Sequence, residues 1–192
     1  HINTVDLELL KEMKEAGCAE IWIGVEGSSP LILRELKREY NIEQVKTVFR
    51  LAKNVGIRRL AYFMVGAPSE SRETIEETKR LIYEIAPDLI VLSLLVPVPG
   101  CELYDHAKRG GYVSDNMDWS DIKLIQSSLP PTKFLSNSEL LKEAHRFYNE
   151  LSKYMRRNKL DIKGLSRHIA NRLRTASYKE YTSRVMIWLV EN

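Results

Sequence analysis

The amino-acid sequence predicts an α/β fold with about three parallel strands, either a small open sheet or part of a (β/α) barrel, followed by a helical C-terminal extension. Short apolar runs alternate with longer amphipathic segments as far as residue 111, and such alternation is typical of parallel βα units with right-handed crossovers. Beyond that point only a helical spacing of apolar residues remains. We therefore expect an α/β part over 1–111, which is a half-barrel if the second alternative holds, an irregular connector over 112–136 and a basic helical extension over 137–192.

The elements of the half-barrel follow from apolar periodicity and from the residues between the periodic segments. Apolar residues at every third or fourth position predict helices, and alternating apolar residues predict strands. Gly17 and Gly56 are suited to end helices, and Pro30 is favoured in the first turn of one. The expected helices are 6–16, 30–36, 42–55, 71–86 and 101–109, and the expected strands are 19–26, 57–65 and 88–96.

The extension differs from the rest of the chain in charge. Residues 142–192 carry 12 Lys/Arg against 5 Asp/Glu, whereas residues 1–141 carry 17 against 21. Such a basic tail could bind nucleic acid or an acidic surface. The same residues also fit the solvated side of amphipathic helices, which is the interpretation we favour, so we do not expect nucleic acid as a partner. The expected helices are one from 137, one over 161–174 and one over 178–190.

Composition excludes several classes of protein. The chain has 192 residues, of which 44% are hydrophobic and 29% charged, as in an ordinary globular protein. No apolar run approaches the roughly 20 residues of a membrane-spanning helix. Only two cysteines, Cys18 and Cys101, are present, which excludes a disulfide scaffold or a self-contained iron–sulfur or zinc site and fits a reducing cytoplasm. Because the first residue is His1, we expect the chain to be part of a longer protein.

Candidate binding residues follow each predicted strand. Glu26 ends the first strand, residues 66–70 (GAPSE) follow the second, and residues 97–100 (PVPG) follow the third. Ligands of parallel α/β folds bind at these carboxyl ends. Glu26 could accept hydrogen bonds from ribose hydroxyls or an amino group; alternatively, it caps the next helix or pairs with an arginine. Glu70 precedes a helix, where stabilisation of the helix dipole is the simpler role.

Four segments, taken together, resemble the core of radical S-adenosylmethionine (SAM) enzymes. They read GVEGSS at 24–29, RLAKNVGI at 50–57, FMVGAPSESRET at 63–74 and PVPGCELY at 97–104. The likeness is strongest to the group that often carries an N-terminal cobalamin-binding domain, which includes enzymes of the anaerobic magnesium-protoporphyrin ester cyclase type. The resemblance covers about residues 6–112.

The resemblance implies a partial (β/α)₆ barrel of which this chain contains the fourth to sixth strands. In that family a [4Fe–4S] cluster, held by a C-x₃-C-x₂-C motif, reduces SAM to a 5′-deoxyadenosyl radical that acts on a small-molecule substrate. Ser29 is a further polar candidate, and Arg38 could reach the barrel mouth, although we favour a solvated helix-end charge. The residues implied to contact SAM are Glu26, Ser28, Phe63, Gly66, Pro68, Pro97, Pro99 and Gly100.

The departures from the family pattern set further expectations. The chain has neither a C-x₃-C-x₂-C motif nor the D-x-H-x-x-G motif of cobalamin domains. We therefore expect this chain alone to bind no cluster, to hold no cofactor tightly and to be inactive, whereas the full-length parent uses SAM, the cluster and, in some members, cobalamin. The strand edge near 19–26 lacks its neighbour, so we expect dimers or aggregates through it.

Two alternative functions remain open. One is a non-catalytic α/β binding module that uses the basic tail to hold a partner or nucleic acid. The other is a different (β/α) barrel enzyme, in which Glu26 and Glu70 would be the catalytic carboxylates.

Overall fold

The computed structural model of the chain describes residues 1–111 and 132–158. The strands in these ranges are β1 (Glu20–Glu26), β2 (Arg58–Val65) and β3 (Leu89–Leu94). A 3₁₀ helix (Ile2–Thr4) precedes the helices α1 (Leu7–Glu15), α2 (Pro30–Glu35), α3 (Ile42–Val55), α4 (Arg72–Ile85), α5 (Glu102–Arg109) and α6 (Asn137–Arg157). These bounds lie within two residues of the expected ones, and the α/β class is confirmed.

The three strands form one parallel sheet in the order β1-β2-β3. Gly24 is paired with Tyr62, and Tyr62 with Val91, so the strands lie level with one another. Helices α2 and α3 connect β1 to β2, and α4 connects β2 to β3. Because all strands run in the same direction, their carboxyl ends meet at one edge of the sheet.

The two faces of the sheet differ in burial. One face is packed against α3 and α4 and contains Ala61 and Phe63, which are both fully buried. On the opposite face Gly24 is exposed, and the partly buried rings of Trp22 and Tyr62 lie with their centroids 5.8 Å apart. The sheet therefore has a covered face and an open face, as expected for part of a barrel wall.

Capping residues define where the long helices begin and end. Asn41 and Gln44 form a reciprocal capping box at the start of α3, and Ser71 and Thr74 form one at the start of α4. Gly56 ends α3 in the left-handed conformation, with a φ of 78°. These local signals explain why the helix bounds are predictable from sequence.

The chain divides into two compact units, His1–Leu151 and Ser152–Asn192. Helix α6 begins at Asn137, so most of it belongs to the first unit. Of the second unit, only residues 152–158, the end of α6, are described. The helices expected over 161–174 and 178–190 and most of the expected connector lie outside the described residues. Within the described ranges, no helix combines the length and apolar character needed to cross a membrane.

Candidate functional site

Glu26 lies at a bulge at the carboxyl end of β1. The pairing register shifts between Gly24 and Glu26, which leaves Val25 as an extra residue, and Glu26 takes a positive φ of 60°. A Cβ atom on Gly24 would lie 2.8 Å from Oε1 of Glu26. The carboxylate therefore folds back over Gly24, on the open face of the sheet, in space that only glycine leaves free.

Arg38 covers this carboxylate. Its Nη2 forms an ion pair with Oε1 of Glu26, and the Arg38 side chain is 35% exposed whereas that of Glu26 is 7% exposed. The buried Nε of Arg38 has no hydrogen-bond partner among the described residues. The pair thus places an anionic and a cationic group side by side, and the guanidinium has N–H donors that Glu26 does not use. Such a pair is complementary to a ligand that carries both an ammonium and a carboxylate group.

The side chain of Tyr40 is hydrogen-bonded to the backbone of the bulge. Its buried hydroxyl donates to the carbonyl oxygens of Gly24 and Val25, each at 3.0 Å. Burial and, next, the negative charge of Glu26 raise the pKa of Tyr40 to about 12, against an opposing effect of Arg38. The hydroxyl therefore stays protonated at ordinary pH and serves as a donor to both carbonyls.

A turn over residues 66–70 follows β2 and is organised by Glu70. Gly66 has a φ of 106°, and its N–H donates to Oε2 of Glu70 at 3.2 Å. Thr74 donates through its hydroxyl to the other carboxylate oxygen. Burial raises the pKa of Glu70, although these hydrogen bonds oppose the effect. These hydrogen bonds of the Glu70 carboxylate thus go to its own turn and to α4.

The same turn is also tied to the end of α2. Ser69 is buried, and both its N–H and its hydroxyl donate to the carboxylate of Glu35, at 2.9 and 2.6 Å. Nζ of Lys133 donates to Oγ of Ser69 at 2.9 Å. A residue from beyond the half-barrel thus takes part in the geometry of the site.

The segment after β3 is the most open of the three strand ends. Pro97 is buried, whereas Pro99 and Gly100 are exposed. Gly100 has a φ of 90°, and a Cβ atom there would have no neighbour within 4 Å. Its backbone is therefore accessible to a ligand.

The structure brings some predicted site residues together and separates others. Phe63 is the strand neighbour of Glu26, but its side chain is fully buried on the covered face, so it offers only its backbone to a ligand. Ser28 lies towards α4, with its Oγ 3.5 Å from Oγ1 of Thr78, and lines a surface cavity of about 200 Å³ there. Gly66, Pro68, Pro97, Pro99 and Gly100 follow the strands at the same edge as Glu26.

Sequence reasoning missed three residues that shape the site. Tyr40 carried a usable signal, because a hydrophobic residue directly before the N-cap of a helix, here Asn41, commonly packs inwards. Glu35 and Lys133 carried none, because they meet only through tertiary contacts across 98 positions of sequence. The favoured interpretation of Arg38 as a solvated helix-end charge was wrong, because its side chain is half-buried and pairs with the buried carboxylate of Glu26. This ion pair is the alternative that was left open for Glu26.

The described residues do not fit an iron–sulfur cluster. No group of three or more His, Cys, Asp or Glu side chains in the described ranges could hold a metal ion. Both cysteines are free thiols. Cys101 caps α5, since its Sγ donates to the carbonyl of Val98 at 3.0 Å and accepts from the N–H of Tyr104 at 3.4 Å.

Comparisons with known proteins identify relatives of this chain. Residues 2–82 match the model of the Radical SAM superfamily. An uncharacterized methyltransferase of Pyrococcus horikoshii is 29% identical over 87% of this chain and 35% of its own length. The anaerobic magnesium-protoporphyrin IX monomethyl ester cyclase of Cereibacter sphaeroides is 32% identical over 71% of this chain and 22% of its own.

A solved structure supports the fold. Coproporphyrinogen III oxidase from Escherichia coli, a radical SAM enzyme, superposes with a TM-score of 0.56 over 81% of this chain and 30% of its own, at 16% identity. The chain spans about a third or less of the length of each of these relatives.

Proposed function

We propose, from the match of residues 2–82 to the model of the Radical SAM superfamily, that the chain is the SAM-binding wall of a longer radical SAM enzyme. The full-length parent would cleave SAM to a 5′-deoxyadenosyl radical and act on a small-molecule substrate. The cyclase and methyltransferase relatives leave tetrapyrroles and methyl acceptors as the substrate classes to test first.

The observation that carries the proposal is the Glu26–Arg38 pair at the end of β1. The methionyl end of SAM is a zwitterion, with an ammonium and a carboxylate on one carbon. The carboxylate of Glu26 would accept from the ammonium, and Arg38 would bind the carboxylate through the donors that Glu26 does not use. The exposed position of Gly24 leaves room beside the pair. Bound SAM supplies a sulfonium group whose carbon–sulfur bond breaks on one-electron reduction.

Backbone groups at the other strand ends would hold the adenosyl part. At the end of β2 the backbone of Phe63 would line the adenosyl part and the carbonyl of Gly66 would accept from it, because the Gly66 N–H is bonded to Glu70. Pro68 stiffens the turn that follows. Pro97, Pro99 and the open backbone of Gly100 form the corresponding wall after β3. Ser28 supports the loop after β1 through its contact with Thr78.

The chain alone would be inactive. The two cysteines do not have the spacing of a cluster-binding motif, so the cluster ligands would come from an N-terminal half-barrel. A cobalamin domain, where present, would also lie outside this chain. In isolation the free edge of β1 would pair with a second copy and give dimers. The free thiols are consistent with the cytoplasm as the working compartment.

Binding of SAM by the anaerobically reconstituted full-length enzyme tests the proposal. We expect Arg38→Met and Glu26→Gln each to raise the dissociation constant at least about tenfold, the loss of one charge-assisted interaction. Lys37→Met is the matched control, because the neighbouring Lys37 pairs with Glu102 on the surface. The affinity of this variant for SAM should equal that of the wild type. Absence of SAM binding by the wild type, or equal affinity of Arg38→Met, would overturn the proposal.

The alternative function, a non-catalytic module with a basic tail, is supported by the charge of residues 142–192. It requires binding of a polyanion that weakens steeply as salt is raised. Titration of a labelled RNA duplex and of SAM at two salt concentrations separates the alternatives.

A further inference from the structure

We propose that residues 132–135, here called the strap, position the cofactor turn 66–70 from outside the half-barrel; the cofactor part of this inference rests on the proposed function. The strap lies just before α6, in a part of the chain that the sequence divides from the barrel. Its role would be that of a positioning element, since its residues act on the turn and not on a ligand.

Three hydrogen bonds join the strap to successive residues of the turn. Oγ1 of Thr132 donates to the carbonyl of Glu70 at 2.7 Å, and the N–H of Lys133 donates to the carbonyl of Pro68 at 2.8 Å. Between these two, Nζ of Lys133 donates to the hydroxyl of Ser69 at 2.9 Å. Consecutive groups of the turn are thus fixed from the same side.

Thr132 is the hub of the strap. Its Oγ1 accepts from the N–H groups of Phe134 and Leu135, at 3.2 and 2.9 Å, and its own N–H donates to the carbonyl of Leu135 at 3.0 Å. Leu135 is buried. The strap is therefore a closed, internally bonded loop, which is stiff enough to impose a geometry on its neighbour.

Helix α6 adds an apolar contact at the start of the turn. Leu140 is fully buried, and its Cδ2 lies 3.4 Å from the position that a Cβ atom on Gly66 would occupy. Glu139 and Glu143 of the same helix form ion pairs with Arg72 at the start of α4, at 3.0 and 2.9 Å. The turn is consequently held at its start by Leu140 and along its length by the strap.

This arrangement has a consequence for binding. Gly66 has a positive φ, and glycine can adopt this value and many other φ values at little cost. The turn therefore needs restraint if its backbone groups are to face a ligand. Glu70 restrains it from within, and the strap restrains it from outside. Binding groups that are ordered in advance lose less entropy when the ligand arrives, so the strap should increase the affinity for SAM without touching it.

Thr132→Val is the direct test, because valine has nearly the shape of threonine but can neither donate to Glu70 nor accept from the strap. Arg146→Gln is the matched control, since Arg146 pairs with Glu76 of α4 and with Glu143 and Glu150 of its own helix, and none of these ion pairs involves the turn. Lys133→Ala removes an exposed side chain and serves as the second variant if Thr132→Val does not fold. Hydrogen exchange of peptides over 64–72 is measured on the 192-residue chain, and SAM affinity on the reconstituted full-length enzyme.

We expect Thr132→Val to speed exchange over 64–72 about tenfold, the loss of about one net hydrogen bond, and to weaken SAM binding about fivefold or more, whereas Arg146→Gln changes neither. Equal exchange rates over 64–72 in Thr132→Val and wild type would overturn the proposal that the strap orders the turn. Faster exchange with unchanged SAM affinity would overturn its role in positioning the cofactor turn. If the wild-type full-length enzyme binds no SAM, the proposed function fails, while the exchange data still decide whether the strap orders the turn.

Discussion

Replacing Asp88 by alanine should destabilise the first unit through a buried arginine that packs behind the sheet. The side chain of Arg59 is 5% exposed and lies on the covered face of β2. Both its Nε and its backbone N–H donate to Oδ2 of Asp88 at 2.8 Å. The guanidinium also donates to the carbonyl oxygens of Phe49, within α3, and of Ile85 and Ala86, at the end of α4.

The magnitude follows from what Asp88→Ala leaves behind. Breaking a buried ion pair by removing one partner costs about 3–5 kcal/mol. Asp88 is 36% exposed and Arg59 keeps three carbonyl acceptors, so we reduce the expected loss to about 2–3 kcal/mol. For a domain of this size that loss lowers Tm by roughly 4–12 °C. Glu20→Gln is the control, because its partner Arg58 is exposed and 3.6 Å away; it should cost less than about 0.5 kcal/mol.

The pH dependence gives a second check on the same pair. Burial alone would raise the pKa of Asp88, but the hydrogen bonds from Arg59 outweigh it and hold that pKa below its ordinary value. A carboxyl with a lowered pKa stabilises the fold above its unfolded pKa of about 3.9 and loses this contribution as the pH falls. Urea unfolding should therefore show a gap between wild type and Asp88→Ala that is full at pH 7 and shrinks below about pH 4. A gap smaller than about 0.5 kcal/mol at pH 7 would refute the reasoning.

Three further predictions concern the strand ends. Because burial raises the pKa of Glu70, the contribution of this carboxyl to stability should fall as the pH rises from about 4 through that pKa, and the difference in urea midpoint between wild type and Glu70→Gln should change over the same range. Leu140→Ala removes a fully buried side chain and should cost about 2–4 kcal/mol by urea denaturation. Gly24→Ala places a methyl group 2.8 Å from Oε1 of Glu26, so SAM titration should show weaker binding while Tm changes little.

The sequence predicts the elements of the half-barrel because their signals are local. The alternation in β1, the Asn41 capping box and Gly56 act within a few residues, and the observed helix and strand bounds accordingly lie close to the expected ones. Glu26 can be named as a candidate for the same reason, because a carboxylate that ends a strand is visible in the sequence; its role stays a prediction.

The geometry around Glu26 could not be predicted in the same way. The bulge at Val25 depends on the hydroxyl of Tyr40 and on the pairing with β2. The contacts of Lys133 with Ser69 and Glu35 span 64 and 98 positions, and the sequence around Lys133 indicates only an irregular connector. Contacts of this kind are decided by packing of the folded chain, which periodicity and capping do not encode.

Cleavage of SAM is the measurement that tests the central claim most directly. The full-length enzyme and the 192-residue chain are each reconstituted anaerobically with iron and sulfide, reduced with dithionite and assayed for 5′-deoxyadenosine. We expect 5′-deoxyadenosine from the full-length enzyme and, from the chain alone, neither this product nor stoichiometric iron. Product or a stoichiometric cluster in the chain alone, or no product from the reconstituted full-length enzyme, would contradict this expectation.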